Sequence, residues 1–355
     1  MKLGLIIYGS LETVSGGYLY DRMLVSQLRR HGDEVELISL PPSPYGRQLL
    51  DNFTFRQPQG LDLILQDELC HPSLVMSNGA RHSCPTISIV HNLRSARGRV
   101  PQDVLYRIVE RSYLERVDGF IFNSVATRAS VWAAIGRPKP HVVAPPGGDR
   151  LGEVNPAMVE ERAHATGPLR LVFLANIVRG KGLHVLFESL RALPPISCEL
   201  DVVGSCDVEP EYARNMRRRA LGLGLPVRIH GGLDNQSLAG ILQRAHVLVI
   251  PSQYEGFGIA YLEGMAHGLP ALGTYVGALP ELIADGVDGY LSSPGDVAAL
   301  SGQISRLAGD RRLLARMGRA ALEKYRTRPT WDAVTNQIRE FLAAAVERWS
   351  AGAQA

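Results

Sequence analysis

The sequence has only four cysteines among 355 residues, and none of them forms a CxxC pair. No histidines and cysteines have the spacing of a zinc site, so we expect buried, reduced thiols. No apolar run approaches the roughly 20 residues that span a bilayer. The first apolar run, in MKLGLIIYGS, is too short for a secretory signal. These absences predict a cytoplasmic protein, with peripheral association at the inner membrane face left open.

Two common nucleotide-binding motifs are also missing. The chain has neither a GxGxxG fingerprint nor a GxxxxGK[ST] loop, which argues against a dinucleotide-dependent oxidoreductase and a P-loop enzyme. No low-complexity segment or short repeat occurs. The net charge of +3 gives no indication of nucleic acid, and it fits an anionic ligand or an anionic membrane surface equally well.

What is present is an alternation of apolar strands and amphipathic helices in two successive blocks. The first block contains the predicted strands KLGLIIYG, DEVELISL, LDLILQ, PTISIVHN, GFIFNS and HVVAPPG. The second contains LRLVFLANI, CELDVVGS, VRIHGG, HVLVIPS and LPALGT. Such alternation is typical of parallel sheets. We therefore predict an α/β protein with two Rossmann-like domains facing a central cleft, at 1–150 and 169–328, with a linker at 151–168 and a C-terminal helix in 329–355.

The stretch PSQYEGFGIAYLEGMAHGLPAL places Gly256 and Gly258 where a strand turns into a helix. Glycine there lets a ligand approach the backbone closely. The amides of Phe257, Gly258 and Ile259 would be free donors at the helix start. Such a helix N-terminus suits a phosphate or a diphosphate.

Two glutamates bracket this turn. Glu255 precedes the helix and could accept hydrogen bonds from neutral hydroxyls, and Glu263 lies about two turns inside it and could bind a diol such as a ribose. The structural alternative is that Glu255 caps the helix and Glu263 is solvated. The small, apolar character of GIAYLEGMAHG weakens that alternative for Glu263.

Two other loops carry candidate phosphate ligands. Arg179 and Lys181 follow the first strand of the second block, where two cations could stabilise a diphosphate leaving group. Gly16 and Gly17, in SGGYLY, precede the first helix and again permit close backbone approach. Solvated cations and a simple turn are the respective structural alternatives.

His91 follows a strand of the first block, and Arg94 and Arg97 come shortly after it. A lone histidine is more often structural, but the end of a parallel strand is where ligands bind. The arginines could bind an acidic acceptor or lipid head groups, with a solvated loop as the alternative.

Several of these motifs together resemble family 4 glycosyltransferases with the GT-B fold. The block PSQYEGFGIAYLEGMAHGLPALGT, followed by GALPELIADGVDGYL, is similar to the donor site of that family. SGGYLYDRMLVSQLRRHGDEVELIS, VVAPPGGD and RGKG are similar to its first loop and helix, its interdomain approach and its basic loop. The resemblance covers nearly the whole chain.

The resemblance implies a retaining transfer of sugar from a nucleotide-sugar co-substrate, without a metal or other cofactor. The absence of any DxD sequence agrees with this. Glu255 would bind sugar hydroxyls, Glu263 the ribose and Lys181 the phosphates. His91 would lie near the reacting centre, and the backbone at Leu233 would read the nucleobase.

The resemblance also implies that the diphosphate is held by the amides from Phe257 to Ile259 and by the loop at Gly16 and Gly17. One departure from the family concerns the strand-end arginine that usually precedes the lysine. Here the region reads LANIV, with Asn176 nearby, so either Arg179 substitutes for it or the diphosphate has one cation fewer. The family also implies that the last helix crosses back to the N-terminal domain.

We thus expect transfer of a hexosyl unit from a UDP- or GDP-linked sugar to a hydroxyl acceptor, which is a glycan, a lipid or a lipid-linked molecule, or a small metabolite. His91, Lys181 and Glu255 are the expected catalytic residues. A nucleotide-sugar epimerase of the same fold and a non-catalytic nucleotide-sugar or lipid-binding module remain as alternatives. The sequence leaves the nucleotide, the sugar and the acceptor open.

Overall fold

The chain folds into two compact units. Unit 1 comprises Met1–Gly147 together with Pro329–Ala355, and unit 2 comprises Gly148–Arg328. Each unit is built around its own six-stranded sheet. The computed structural model describes residues 1–79, 83–96, 103–193 and 198–353.

The sheet of unit 1 is wholly parallel, with strand order β2-β1-β3-β4-β5-β6. In its register Leu5 of β1, the second strand of the sheet, lies between Leu37 and Leu65. Most of these strands were predictable as buried apolar runs, whereas β2 is largely exposed and was predictable from its alternation. The strands are β1 Lys2–Tyr8, β2 Glu34–Leu40, β3 Leu63–Asp67, β4 Thr86–Val90, β5 Gly119–Phe122 and β6 His141–Val143.

Two helices of unit 1 begin at serine side chains that cap them. Ser15 accepts a hydrogen bond from the amide of Tyr18 at the start of α1, and Ser124 caps α5 in the same way. Gly136 ends α5 in the left-handed conformation. The helices between the strands are α1 Gly16–Arg30, α2 Tyr45–Asp51, α3 His71–Leu74, α4 Asp103–Leu114 and α5 Val125–Ile135.

The sheet of unit 2 is also parallel, in the order β12-β11-β10-β7-β8-β9. Its last strand was not predicted, because its sequence GYLS has only two apolar residues, between a glycine and a serine. The strands are β7 Leu169–Leu174, β8 Cys198–Val203, β9 Val227–Gly231, β10 Val247–Val249, β11 Ala271–Thr274 and β12 Gly289–Ser292.

The segment expected to be a linker, 151–168, contains a helix that packs within unit 2. Asn155 caps it by accepting from the amide of Ala157, and Arg162 donates to the carbonyl oxygens of His267 and Gly268. The helices of unit 2 are α6 Pro156–His164, α7 Leu183–Arg191, α8 Pro210–Ala220, α9 Asn235–Arg244, α10 Ile259–Ala266, α11 Leu279–Leu282, α12 Val297–Gly309 and α13 Arg311–Arg326.

The last helix, α14 (Trp331–Ala353), belongs to unit 1 and packs on α1 and β6. Trp331 is 1% exposed, and its ring meets that of Tyr20 at 5.3 Å. Arg339 donates to the buried carboxylate of Asp33 at 2.6 Å. Although α14 has 23 residues, neither it nor any other helix within the described ranges is long and apolar enough to cross a lipid bilayer.

Candidate functional site

The glycine-containing turn of unit 2 leads from β10 into α10. Gly258 precedes the helix with φ 97° and ψ 56°, and a Cβ there would lie 2.7 Å from Cδ2 of Tyr261. This left-handed conformation requires glycine. No side chain caps α10, so the amides at its start, including that of Ile259, remain donors for an anionic ligand.

Beside this turn, Lys181 and Glu255 form an ion pair with 2.6 Å between Nζ and Oε2. Ser252 Oγ donates to the same carboxylate oxygen at 3.3 Å. The Lys181 side chain is 29% exposed and that of Glu255 12%, so both remain accessible to a ligand. The arrangement combines a cation, a carboxylate and a free helix start.

Backbone contacts between two loops bring these side chains together. Gly182 has φ 76°, and a Cβ there would overlap the carbonyl oxygen of Pro251. The amide of Gln253 donates to the carbonyl of Gly180 at 2.8 Å. Because the loops touch through their main chains, the lysine of one reaches the glutamate of the other.

Glu263 lies within α10 and is 8% exposed. Arg150 donates to its Oε1 through Nε at 2.8 Å and also through Nη2, and it donates through Nη1 to Asn235 Oδ1 at 2.6 Å. Burial raises the pKa of Glu263, and the guanidinium of Arg150 opposes that shift. Sequence analysis missed Arg150, because an ion pair between residues 113 positions apart leaves no local signal.

The structure places Arg179 away from this ion pair. Its guanidinium lies over the ring of Tyr212 at 5.5 Å, and its amide donates to Glu209 at 3.0 Å. Among the described residues, no contact joins its side chain to Lys181 or Glu255.

Asn176 and Leu233 follow the carboxyl ends of β7 and β9, the two strands on either side of β8. Asn176 Oδ1 accepts a hydrogen bond from the amide of Ser205 at 3.2 Å, which ties the end of β7 to the end of β8. Leu233 is half-buried and directly precedes Asp234, the cap of α9. Both residues therefore border the same edge of the sheet.

In unit 1, His91 follows β4 and is held by α1. Its Nε2 lies 2.9 Å from Oδ1 of the fully buried Asp21, and its ring meets that of Tyr20 edge to face at 5.3 Å. A Cβ on Gly17 would lie 3.1 Å from His91 Cδ2. Gly16 begins α1 with open space around it. The structure thus joins two predicted features, the glycine pair and the histidine.

The electrostatics of His91 depend on buried acids. Burial alone would lower its pKa, but the charge and hydrogen bond of Asp21 outweigh burial and raise the pKa of His91 to about 9. Asp67 lies beside this pair and is also fully buried. Burial and the charge of Asp21 raise the pKa of Asp67 well above its ordinary value. His91 therefore carries its proton at neutral pH.

A second group of buried side chains lies next to the main chain of Arg94. Glu110 accepts from the amide of Arg94 at 2.8 Å, and the Arg94 guanidinium lies 4.1 Å from the ring centre of Tyr106. Burial and the neighbouring Glu68 raise the pKa of Glu110 to about 7. Arg97, the other predicted acceptor contact, lies outside the described residues.

These two groups also have the composition of metal sites. In each, one ligand atom per residue lies within 4.8 Å of the others. Burial raises the pKa of Asp67 and of Glu110, and one or more buried carboxylate oxygens of Asp21, Asp67 and Glu68 have no hydrogen-bond partner among the described residues. The members are Asp21, Asp67 and His91 in one group, and Glu68, His71 and Glu110 in the other.

Comparison with known proteins identifies the fold of this molecule and a family model that matches part of the chain. Residues 155–324 match the family model described as glycosyl transferases group 1. Sucrose-phosphate synthase from Thermosynechococcus elongatus superposes with a TM-score of 0.82 at 21% identity, covering 97% of this chain and 99% of that one. The protein has the GT-B fold, as the sequence predicted, and the segment that matches the family model lies within unit 2.

Two curated proteins and one further solved structure are also similar to this chain. The D-inositol 3-phosphate glycosyltransferase of Streptomyces avermitilis is 30% identical over 285 residues, which are 75% of this chain and 60% of that protein. A glycogen synthase of Mycobacterium tuberculosis is 29% identical over 189 residues, which are 52% of this chain and 44% of that protein. The chain thus spans about three fifths or less of these relatives. HepE from Anabaena, in complex with UDP-glucose, superposes with a TM-score of 0.77 at 18% identity over 97% of this chain and 100% of that one.

Proposed function

We propose that this protein is a retaining glycosyltransferase of family 4. It moves a hexosyl unit from a UDP- or GDP-linked sugar to a hydroxyl acceptor, without a metal. The observation that carries this proposal is the ion pair of Lys181 and Glu255 beside the uncapped start of α10. A diphosphate needs cations and N–H donors, and a sugar needs hydroxyl acceptors; the pair and the helix start offer both.

In the proposed reaction, the bond between the sugar C1 and the diphosphate oxygen breaks, and its electron pair leaves with the diphosphate. Lys181 and the amides from Phe257 to Ile259 stabilise the charge that builds there. The acceptor oxygen bonds to C1 from the same face and gives its proton to the departing phosphate oxygen. Glu255 holds the sugar hydroxyls, and Glu263 holds the ribose beside Leu233.

We also assign roles in the proposed reaction to three features of unit 1. The loop at Gly16 and Gly17 offers backbone amides to the diphosphate, since neither glycine has a side chain to obstruct it. His91 orients the sugar or the acceptor and, being protonated at neutral pH, donates hydrogen bonds. Arg94 contributes a cation to an acidic acceptor.

In unit 2, Asn176 borders the donor site, and Arg179 takes no direct part in binding the diphosphate.

The UDP-glucose complex of HepE favours uridine as the nucleotide of the donor. The acceptor is a glycan, a lipid-linked glycan or a small metabolite, and peripheral attachment at the inner membrane face would suit a lipid-linked one. Relatives with the names of inositol phosphate glycosyltransferase and glycogen synthase cover both small and polymeric acceptors.

The test is sugar transfer from a panel of UDP- and GDP-sugars by purified Glu255→Gln and Lys181→Met variants. We expect each to lose at least about 100-fold in kcat/KM, because each removes a contact to the reacting group. Arg326→Met, which breaks an exposed ion pair with Glu153, is the matched control and should remain active. Native turnover in either site variant, with unchanged circular dichroism, contradicts the proposal.

A second candidate is a nucleotide-sugar epimerase, which needs acids and histidines for proton transfer. The observation that favours it is the buried group of Asp21 and Asp67 beside His91. Incubation with donor alone, followed by NMR, separates the two: an epimerase changes the sugar, whereas a transferase returns it unchanged or hydrolysed. A binding module would leave the donor unchanged, so donor hydrolysis distinguishes a transferase from it.

A further inference from the structure

Arg150 lies at the start of unit 2, and its guanidinium joins two elements of the candidate donor site. Nε and Nη2 donate to Oε1 of Glu263 on α10, and Nη1 donates to Oδ1 of Asn235 at the first position of α9. Both elements border the nucleoside part of the proposed donor site, since Leu233 directly precedes the cap of α9.

Glu263 depends on this arginine for its charge. Its side chain is 9% exposed, and a buried carboxylate without a partner takes up a proton instead of staying ionised. Arg150 is the charged group that opposes the raised pKa of Glu263. His267, one turn further along α10, binds the main-chain carbonyl of Glu263 and not its carboxylate. Without Arg150, nothing described around Glu263 would keep it anionic.

Arg150 uses only one of the two carboxylate oxygens. Both of its hydrogen bonds to Glu263 end on Oε1. Oε2 has no hydrogen bond to any described residue, yet it is not among the buried atoms that lack a partner, so it is open to solvent. A fixed, ionised carboxylate with one open oxygen is suited to accept a hydrogen bond from a hydroxyl.

We propose that Arg150 is a positioning residue of the nucleoside subsite. It holds Glu263 ionised and turned so that Oε2 accepts a hydrogen bond from a ribose hydroxyl, and it anchors that carboxylate to the start of α9. This inference rests on the proposed function and names the residue that makes the site selective for ribonucleotides.

The experiment compares the affinities of UDP and GDP with those of their 2′-deoxy and 3′-deoxy counterparts by titration calorimetry. We expect the native protein to bind its ribonucleotide about tenfold more tightly than one of the deoxy forms, because a hydrogen bond to a charged group is lost. In Arg150→Met this ratio should fall to about twofold at pH 7. It should recover in part as the pH is raised, because a higher pH favours the ionised carboxyl.

Three further variants make the result specific. Arg150→Lys should keep an intermediate ratio, since an ammonium retains the charge without the planar fork. Asn235→Ala, at an exposed position, should lower the ratio by about two- to threefold and tests the anchor without exposing Glu263. Arg326→Met should keep the native ratio.

The outcomes separate this inference from the proposed function. An unchanged ribose-to-deoxyribose ratio in both Arg150→Met and Asn235→Ala, at pH 7 and pH 9, overturns the role of Arg150 alone. Failure of the native protein to bind either nucleoside diphosphate contradicts the proposed function and the inference with it.

Discussion

Gly17 and His91 touch in unit 1, and a Cβ on the glycine would lie 3.1 Å from Cδ2 of the imidazole. The ring cannot easily yield, because Asp21 holds its Nε2 at 2.9 Å and Tyr20 packs against it. The absence of a side chain at position 17 therefore leaves the space that the His91 ring needs in this position.

Gly17→Ala should displace His91 by a few tenths of an ångström and lower kcat/KM for sugar transfer by about tenfold, since small misplacements of reacting groups are costly. Gly46→Ala, on α2, is the control, because a Cβ there meets nothing within 4 Å. Equal activity of the two variants would show that His91 needs no such fixed position.

The stability of unit 1 should decrease as the pH rises from about 6.5 to 9. The pKa of His91 is raised to about 9 and that of Asp67 is also raised, so the folded state keeps protons that the unfolded state has released. The contribution of His91 is fully present below its unfolded pKa of about 6.5 and is lost as the pH passes 9; it amounts to at most about 3 kcal/mol.

Urea denaturation at several pH values, followed by tryptophan fluorescence, measures this effect in unit 1. All three tryptophans belong to that unit: Trp132, Trp331 and Trp349. His91→Gln should make the free energy of unfolding less dependent on pH across this window. A native protein whose stability is constant from pH 6.5 to 9 would contradict the prediction.

Gly182→Ala should destabilise unit 2 by about 3 kcal/mol or more, because φ 76° disfavours a side chain and the new Cβ would overlap the carbonyl oxygen of Pro251. Gly180→Ala, in the same loop, meets nothing within 4 Å and is the matched control. Thermal unfolding by circular dichroism compares the two. Identical melting temperatures would refute the close contact.

The two basic residues of the RGKG loop should behave differently on substitution. Lys181→Ala removes the partner of Glu255 and should lower kcat/KM at least about 100-fold, whereas Arg179→Ala removes a guanidinium that lies over Tyr212 and should change it less than about threefold. Steady-state kinetics with a common donor decide this. A loss of kcat/KM of similar size in both variants would show that Arg179 also binds the diphosphate.

The fold could be predicted because a buried parallel strand is recognisable from its own short sequence. Runs such as KLGLIIYG and HVLVIPS are apolar throughout, and each is covered on both faces by helices. Most of the predicted strands were recognisable in this way, and β2 was recognisable from its alternation. The exception, β12, has only two apolar residues, between a glycine and a serine, so it lacks a recognisable run.

The site was predictable only where the chemistry lies within a short motif. Glu255 and Gly258 stand out in one loop, but the pairing of Glu263 with Arg150 joins residues 113 positions apart. Asp21 and Asp67 likewise come to His91 from α1 and the end of β3. Such partners follow from tertiary packing, which no local pattern encodes.

The chain leaves unit 1 after Gly147 and returns to it at Pro329. Unit 2 is therefore one continuous segment inserted into the sequence of unit 1. Within unit 1 the main chain at Gly147 lies directly against Trp331. If unit 2 were deleted, the two chain ends left in unit 1 would thus lie close together. A short glycine linker between them would give an α/β protein that consists of unit 1 alone and ends in α14. Truncation from the C-terminus, by contrast, would damage the first-synthesised unit while leaving the later one whole.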